Sequence, residues 1–145
     1  MSNLPSNFEE AIKNAKRLSN KILIDGKLIS PSTDNKIKVI NPSTGENIGE
    51  APQCDKNDVD HAVKSSLNAF KEWKKIPARE RGRLVELGAR NLEERKGEIE
   101  TLLSLDTGNA LRTQAKPETA ASIELTRMFA GLSGEIKGEN YPPNI

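Results

Sequence analysis

The sequence contains one cysteine, Cys54, and one histidine, His61, the side chains best suited to act as a nucleophile and a base. Cys54 immediately precedes a helical pattern, where the positive end of the helix dipole favours a thiolate, so a reactive thiol is one interpretation. His61 follows in the second turn of that pattern, beside its apolar stripe, and no third group is placed to orient it. These positions favour a solvated histidine and an unactivated thiol over a catalytic pair.

The sequence contains few residues that could form a metal site or an acid–base catalytic pair. A zinc site takes three or four ligands, and one cysteine with one histidine supplies too few. A hard cation bound by oxygen atoms needs only backbone carbonyls and a carboxylate, so such a site stays possible. Neighbouring carboxylates such as Glu93 and Glu94 point about 100° apart on a helix, which is typical of a solvated charged face.

Gly131, Gly134 and Gly138 form a cluster that has to be compared with a phosphate-binding loop. Their spacing differs from G-x-G-x-x-G, and they lie inside or at the end of a helical pattern with no strand before it. We therefore expect these glycines to serve close helix packing and helix capping.

Charge and hydropathy exclude two classes of partner. The 22 basic and 21 acidic residues leave a net charge of +1, without a basic block for nucleic acid or anionic lipid. No apolar run approaches the ~20 residues of a membrane span, and residues 1–10 lack the pattern of a signal peptide. A single cysteine agrees with a reducing compartment, so we expect a cytoplasmic protein without nucleic-acid or membrane partners.

The N-terminal half begins with one amphipathic pattern and one hairpin. Residues 6–19 have apolar side chains near helical spacing, and Ser6 with Glu9 forms a capping box, which predicts a short helix. Lys21 to Ser30 consists of two short apolar runs around Asp25-Gly26, a dipeptide typical of a tight hairpin turn.

A second extended region follows this hairpin. Lys36 to Ile40 reads as a strand, Pro42 and Gly45 mark a turn, and Asn47 to Glu50 is able to pair back. We therefore expect a small antiparallel sheet built from hairpins over residues 21–52.

From Asp55, a plausible N-cap, the apolar period changes from two to 3.6. The apolar stripe of this first long helix consists of Val59, Ala62, Val63, Leu67, Phe70 and Trp73. The helix places lysines on the opposite side, which is typical of a half-buried amphipathic helix.

Two more long helical patterns complete the sequence. The second begins near Pro77 and closes at Gly108, with an interruption near Gly97. The third begins at Pro117 and stops at Gly138. The apolar positions of the third pattern are Ala121, Leu125, Met128, Phe129, Leu132 and Ile136.

The order of these elements predicts a segregated α+β fold. Residues 1–20 form an N-terminal helix or arm, and residues 21–145 form a second segment with hairpins over 21–52 and three long amphipathic helices within 55–137. A doubly wound nucleotide-binding sheet requires alternating strands and helices, and that alternation is missing.

Five blocks, in order, resemble the beginning of the NAD(P)-dependent aldehyde dehydrogenases. The blocks are Ile24-Asp25-Gly26-Lys27, Val39 to Glu46 with its Asn-Pro-Ser-Thr-Gly segment, Asp58 to Trp73, Arg79 to Asn109, and Met128 to Glu139. The resemblance implies an enzyme that oxidises an aldehyde to a carboxylic acid with NAD or NADP, through a cysteine thiohemiacetal.

The same resemblance implies that the nucleophilic cysteine, the general-base glutamate, the oxyanion-hole asparagine and the dinucleotide-binding glycines lie downstream of the matched region. We therefore expect this chain alone to be inactive and to need no cofactor by itself. Its expected partner is the remainder of the dehydrogenase or a homologous subunit, and its helices are expected to leave a large apolar surface exposed. Family oligomers form through an arm whose start resembles Tyr141-Pro142-Pro143.

One family site falls within the matched region. It is a structural monovalent-cation site that uses main-chain oxygens before the Asn-Pro turn and an aspartate before a helix-ending glycine. The matching positions here are Val39, Ile40 and Asp106. The alternative for Asp106 is a solvated residue at a helix C-terminus, although the helix dipole opposes a carboxylate there.

Other functions stay open from the sequence. A standalone helical interaction module, or one subunit of a split enzyme, would also use charged helices with narrow aliphatic stripes. An independent small enzyme would require a nucleophile, a base and a cofactor site that the residue inventory does not provide.

Overall fold

A computed structural model describes residues 6–135 and 137–139, without the side chains of Ser6 and Leu18. In chain order its elements are α1 (Ser6–Leu18), β1 (Ile22–Ile24), β2 (Lys27–Ile29), β3 (Lys36–Ile40), β4 (Asn47–Pro52), α2 (Lys56–Trp73), α3 (Ala78–Glu94), α4 (Lys96–Thr107), a π-helical turn (Leu111–Ala115), α5 (Lys116–Gly131) and a 3-10 turn (Leu132–Gly134). The predicted α+β order of hairpins followed by helices is confirmed.

The first hairpin forms where the sequence predicts it. Strands β1 and β2 are antiparallel, with Ile22 opposite Ile29 and Ile24 opposite Lys27. Asp25 and Gly26 connect them with φ values of 54° and 70°. Both values are positive, as a type I′ turn requires, which explains the choice of an aspartate followed by a glycine.

The second hairpin is separate from the first, so the expectation of one small sheet is wrong. Strands β3 and β4 are antiparallel and pair only with each other, as do β1 and β2. After β2, the backbone N–H and the hydroxyl of Ser32 both donate hydrogen bonds to the carboxylate of Asp58 on α2. A β-bulge interrupts the register of β3 and β4 between Val39 and Ile40.

The main core is small and joins three elements. Ala11 of α1, Ile48 of β4 and Leu105 of α4 are buried against one another. The partly buried side chains around them are Phe8, Ile12, Val39 and Leu102. A core of this kind is what the low aromatic content of the sequence allows.

Helices α3 and α5 pack through small residues. Ala89 of α3 is completely buried, and Ala130 of α5 is almost completely buried. A Cβ atom on Gly82 would lie 2.5 Å from the carbonyl oxygen of Ala130. The two helices approach too closely at this point for any side chain at position 82.

The second predicted helix is two helices, so four long helices follow the hairpins instead of three. The expected interruption near Gly97 falls two residues earlier, at Arg95, whose φ and ψ are −103° and 13°. Beside this break, the Arg95 guanidinium donates bonds of 3.0 and 2.8 Å to Glu98. Gly108 ends α4 as predicted, in a left-handed conformation with φ of 75°.

The third predicted helix begins earlier and ends earlier than its pattern suggests. A π-helical turn precedes α5, because Pro117 in the first turn has no N–H to donate to the carbonyl of Thr113. The α-helix ends at Gly131, and the chain tightens into a 3-10 turn that ends at Gly134. Gly131 and Gly134 weaken helix propensity there, so the helix ends before Gly138, where the sequence pattern predicted its end.

Some predicted features lie outside the described residues. These are Ile136 of the third helical pattern, the segment Tyr141-Pro142-Pro143 and the side-chain bond expected from Ser6. The division of the chain at residue 20 stays a prediction. In the structure, α1 packs against β4 and α4. Among the described helices, none combines the length and the hydropathy that crossing a bilayer requires.

Replacing Gly108 by alanine should lower the free energy of unfolding by about 1–3 kcal/mol, because a side chain is strained at positive φ. The added Cβ would also lie 2.9 Å from Cγ of Pro42. Gly88→Ala is the matched control, since Gly88 lies in α3 with nothing within 4 Å of the added atom. The control should gain about 1 kcal/mol in urea unfolding. Equal effects at both positions would contradict this explanation.

Candidate functional site

A buried carboxylate fixes the start of α2. The side chain of Asp58 is 8% exposed. Its oxygens accept hydrogen bonds from the backbone N–H of Ser32 at 2.9 Å, from the hydroxyl of Ser32 at 3.0 Å and from the backbone N–H of Asp55 at 3.3 Å. We call Ser32, Asp55 and Asp58 the α2 clasp.

Asp55 is the N-cap of α2, as the sequence predicts. Its carboxylate accepts hydrogen bonds from the backbone N–H groups of Asn57 at 2.8 Å and Asp58 at 3.1 Å. The hydroxyl of Ser32 and these N–H groups hold the pKa of the Asp55 carboxyl below its ordinary value, against a smaller opposing effect of desolvation. Both carboxylates of the clasp are therefore engaged in holding the helix.

The candidate nucleophile and base are not organised as a catalytic pair. Cys54 is exposed, and His61 is exposed on α2. Within residues 6–135 and 137–139, no hydrogen bond joins these two side chains, and no cluster of three His, Cys, Asp or Glu residues is arranged to hold a metal ion. The carboxylate of Glu93 binds Arg127. The structure therefore favours the solvated interpretation of each residue.

Arg127 of α5 forms an ionic cluster that the sequence did not reveal. Its guanidinium bonds to Glu93, lies 2.9 Å from Glu124 and 3.9 Å from Glu86. The bond to Glu93, followed by the bond to Glu124, raises the pKa of Arg127. Glu86 and Glu93 belong to α3, so the cluster joins the two helices at an exposed edge of their contact.

The Asn-Pro-Ser-Thr-Gly segment is a turn closed by its own hydrogen bonds. Asn41 is 4% exposed, and its side-chain oxygen accepts from the backbone N–H of Ser43 at 2.9 Å. Its carbonyl accepts from Gly45 N–H at 2.8 Å, and its N–H donates to Glu46 at 2.9 Å. Pro42 then rests against Gly108, so the turn is seated on the end of α4.

This turn brings the end of β3 beside the end of α4. Val39 and Asp106 line one groove of ≈ 410 Å³, which is otherwise almost entirely apolar. The lining residues of this groove are Ile12, Ala15, Val39, Ile48, Gly49, Ile99, Leu102, Leu103, Leu105 and Asp106. Two of the three candidate cation ligands thus share a groove, and Ile40 follows at the β-bulge.

Much of the apolar surface of the helices is exposed, as expected from the sequence. On α2 the exposed large side chains are Val59, Val63, Leu67, Phe70 and Trp73, which we call the α2 face. On α3, α5 and the turn after α5 they are Leu84, Leu87, Leu92, Leu125, Met128, Phe129 and Leu132, which we call the α3/α5 residues. Contiguous exposed apolar side chains are typical of surfaces that contact another part of a protein.

Comparison with known proteins agrees with this geometry. Residues 29–144 match the model of the aldehyde dehydrogenase family. The chain is 32% identical over 136 residues to an aldehyde dehydrogenase from Enchytraeus buchholzi, covering 92% of this chain and 27% of that protein. The betaine aldehyde dehydrogenase of Staphylococcus aureus, solved in complex with NAD+, superposes with a TM-score of 0.87 at 26% identity, over 97% of this chain and 28% of that one. An NAD-dependent benzaldehyde dehydrogenase from Corynebacterium glutamicum gives a TM-score of 0.80 at 30% identity, over 87% and 27% of the two chains.

The chain belongs to the aldehyde dehydrogenase family, a family of oxidoreductases, and the resemblance seen in its sequence blocks is confirmed. It corresponds to the N-terminal region of these proteins. It spans 27% of the length of the Enchytraeus relative, so about three quarters of that relative lies outside the match.

Asp58→Asn should lower the free energy of unfolding by about 1–3 kcal/mol, because an amide nitrogen would replace one of the oxygens that accept the Ser32 and Asp55 N–H groups. Backbone amides of α2 should exchange faster in the same variant. Asp34→Asn, an exposed change two residues from Ser32, should stay within about 0.5 kcal/mol of the native value in urea unfolding. If α2 exchange were unchanged in Asp58→Asn, the clasp would not be what holds this helix.

Proposed function

We propose that this chain forms the N-terminal α+β part of an NAD(P)-dependent aldehyde dehydrogenase and oxidises no aldehyde by itself. Its membership in the family and its share of the relatives' length support this proposal. In the complete enzyme NAD(P)+ would supply the hydride acceptor that the oxidation of an aldehyde requires. The role of this chain is then to pack against and support the part that carries the chemistry.

The observation that carries the proposal is the imbalance between buried and exposed apolar side chains. In the described part of the chain, the buried hydrophobic residues larger than alanine are Ile24, Ile48, Leu105 and Ile123. The exposed α3/α5 residues include Leu125, at 50%, and Phe129, at 63%. A helix pair with this much apolar surface in water is stabilised when another part of a protein covers it.

The described residues do not fit a dinucleotide. A phosphate loop needs a strand, a glycine-rich turn and a helix in succession, whereas Gly131 ends α5 and Gly134 ends the following 3-10 turn. The hairpins β1–β2 and β3–β4 provide no parallel strands in the described range. We therefore assign cofactor binding and every bond-making step to the remainder of the enzyme.

The proposal extends to partners and location. The remainder of the dehydrogenase, on the same or a separate polypeptide, covers the α3/α5 residues, and the complete enzyme assembles as an oligomer. A split enzyme is the second form of this proposal, because a surface exposed on α3 and α5 serves a separate polypeptide equally well. The exposed, unpaired Cys54 supports a cytoplasmic location.

The test is reassembly with the separately produced remainder of a family member that lacks the matched region. The chain alone should show neither NAD binding by calorimetry nor aldehyde oxidation, and the mixture should form a complex that oxidises aldehydes. Phe129→Gln should weaken this complex by about tenfold or more, because a polar side chain replaces a half-exposed anchor. Lys13→Gln, an exposed change on α1, is the matched control.

Stoichiometric NAD binding by the isolated chain would contradict the proposal, since it requires a cofactor site among these residues. A complex that tolerates Phe129→Gln as well as it tolerates Lys13→Gln would exclude the α3/α5 residues as the contact surface.

We also propose that Val39, Ile40 and Asp106 contribute to a monovalent-cation site. The shared groove of Val39 and Asp106 and the oxygen chemistry of the donors support it, since alkali cations prefer carbonyl and carboxylate oxygens. The two β3 residues would supply main-chain oxygens, and Asp106 would supply its carboxylate. The seating of Pro42 on Gly108 holds the strand end near the helix end.

Potassium or sodium chloride should therefore raise the midpoint of thermal unfolding above that in tetramethylammonium chloride of equal ionic strength. A site that binds only the folded state stabilises it by roughly 1 kcal/mol when the ion is several-fold above its dissociation constant. Asp106→Asn should remove most of this difference, and Asp34→Asn should keep it. A midpoint that depends on ionic strength alone would exclude the site.

A further inference from the structure

A polar cavity lies between α1 and the start of α4. Its volume is ≈ 500 Å³, which is within the range of cavities that hold small molecules. Helix α1 forms one wall, and the end of α3, the first turns of α4 and the start of α5 contribute to the others. We call it the α1/α4 cavity. It shares no lining residue with the groove of Val39 and Asp106, and neither the α2 face nor the α3/α5 residues line it.

One wall of this cavity contains a buried carboxylate that lacks a hydrogen-bond donor. Glu100 is 7% exposed and lines the cavity. Among the described residues, no N–H or O–H group donates to its carboxylate, and the nearest cation is the ammonium of Lys96, 4.0 Å from Oε1. A charge-assisted hydrogen bond is shorter, at about 2.7–2.9 Å. The carboxylate is therefore removed from water without a matching donor, which costs free energy.

Lys96 is poorly placed to neutralise Glu100. It is the first residue of α4, where the positive end of the helix dipole disfavours a cation. A lysine four residues before a glutamate is also the weaker order for an ion pair on a helix. The Lys96 side chain is 43% exposed, so water competes for its ammonium group. The charge of Glu100 is therefore available to a ligand that enters the cavity.

The other charged residues of the lining also favour a cation. Glu10 of α1 and Glu94 of α3 line the cavity, and in the described part of the chain neither takes part in an ion pair. Glu98 is already bound by Arg95. Lys116 is then the remaining basic residue among those that line the cavity. The carboxylates outnumber the cations, so the cavity attracts positive charge.

The lining fits an organic ammonium ion better than a metal ion. Within residues 6–135 and 137–139, no three His, Cys, Asp or Glu side chains converge as a metal site requires. An ammonium group has three N–H donors, and the carboxylate of Glu100 and the half-buried amide oxygen of Asn14 are acceptors for them. Ala11 and Leu111 also line the cavity and offer apolar contact to methylene groups.

We propose that the α1/α4 cavity binds a small aliphatic diamine. One ammonium group binds the carboxylate of Glu100 and supplies the hydrogen bonds that this group lacks. The second ammonium group lies toward Glu10 and Glu94, which are exposed at the rim of the cavity. The methylene chain between them packs against the apolar part of the lining. This site belongs to the chain itself and goes beyond the function proposed above.

NMR titration of the complete chain with 1,4-diaminobutane tests the proposal. Backbone amide signals of α1 and of the start of α4 should shift to saturation, with a dissociation constant on the order of 1 mM or below. Butane-1,4-diol has the same length without charge and should leave these signals in place. 1-Aminobutane keeps the ammonium group that binds Glu100, and it should bind a few-fold more weakly, because the exposed ion pairs at the rim contribute little.

Glu100→Gln separates ligand binding from a structural role. The variant should bind the diamine about tenfold more weakly or less, because a neutral amide replaces the carboxylate. It should unfold at the same or a higher urea concentration than the native chain, since the change removes a buried charge without a hydrogen-bond donor. Glu46→Gln alters the net charge equally at an exposed position outside the cavity, and it should leave binding unchanged.

A native chain whose amide signals do not shift to saturation would overturn the proposal. So would shifts that spread over the whole surface, are equal in Glu100→Gln and disappear in high salt, which is the behaviour of unspecific counterions. If the diamine does not bind but Glu100→Gln weakens the complex with the separately produced remainder of a dehydrogenase, the cavity receives a side chain of that remainder, and the proposal is wrong. The titration depends neither on NAD binding nor on reassembly through Phe129, so this proposal and the proposed function fail separately.

Discussion

The scarcity of large side chains at the places where helices meet is the constraint on which this structure depends. Ala89 and Ala115 are the described hydrophobic residues with no exposed surface, and Gly82 lies where even a methyl group would collide. Small residues let helix axes come close, but they bury little apolar area per contact. The contact between α3 and α5 therefore buries little apolar area, and many of the large apolar side chains of the helices stay exposed.

The polar contacts of this fold compensate for the small core. The Asp58 carboxylate links two segments that are 26 residues apart in sequence, and the Asn41 side chain and backbone close a turn before it meets α4. Both groups are buried and satisfied, so the cost of removing them from water is offset by hydrogen bonds. The loop after β2 and the turn after β3 are thereby fixed with little help from apolar packing.

Elements governed by neighbouring residues were predictable from the sequence. The positive φ values at Asp25 and Gly26, the cap at Asp55 and the left-handed end at Gly108 follow from short-range sterics and hydrogen bonding. The break at Arg95 was misplaced by two residues, because a glycine such as Gly97 lowers helix propensity without fixing where the helix is interrupted.

Contacts between distant residues were not predictable from patterns. Nothing in the spacing of Ser32 indicates that it binds Asp58, which lies 26 residues further along the chain. The cluster around Arg127 joins residues 34 positions apart and was missed for the same reason. The candidate cation residues were found only through family resemblance, because Val39 and Ile40 would act through their main chain and leave no trace in residue type.

The function proposed for this chain separates a supporting part of an aldehyde dehydrogenase from the part that carries the chemistry. The described residues provide a scaffold of hairpins and helices, whereas the nucleophile and the dinucleotide site require features that α2 to α5 do not form. The exposed apolar surface on α3 and α5 is the place where, in this proposal, the supporting part contacts the catalytic part. Burying such a surface against another part of a protein removes apolar side chains from water, which favours association.

The close approach at Gly82 also limits how this sequence is free to change over time. Ser133 and the carbonyl of Ala130 occupy the space that any Cβ at position 82 would need. Substitution is therefore restricted at position 82, whereas the side chain of its neighbour Arg83 is exposed and meets no such obstacle. A compensating change at Ser133 could not relieve the conflict by itself, because the backbone oxygen of residue 130 would remain.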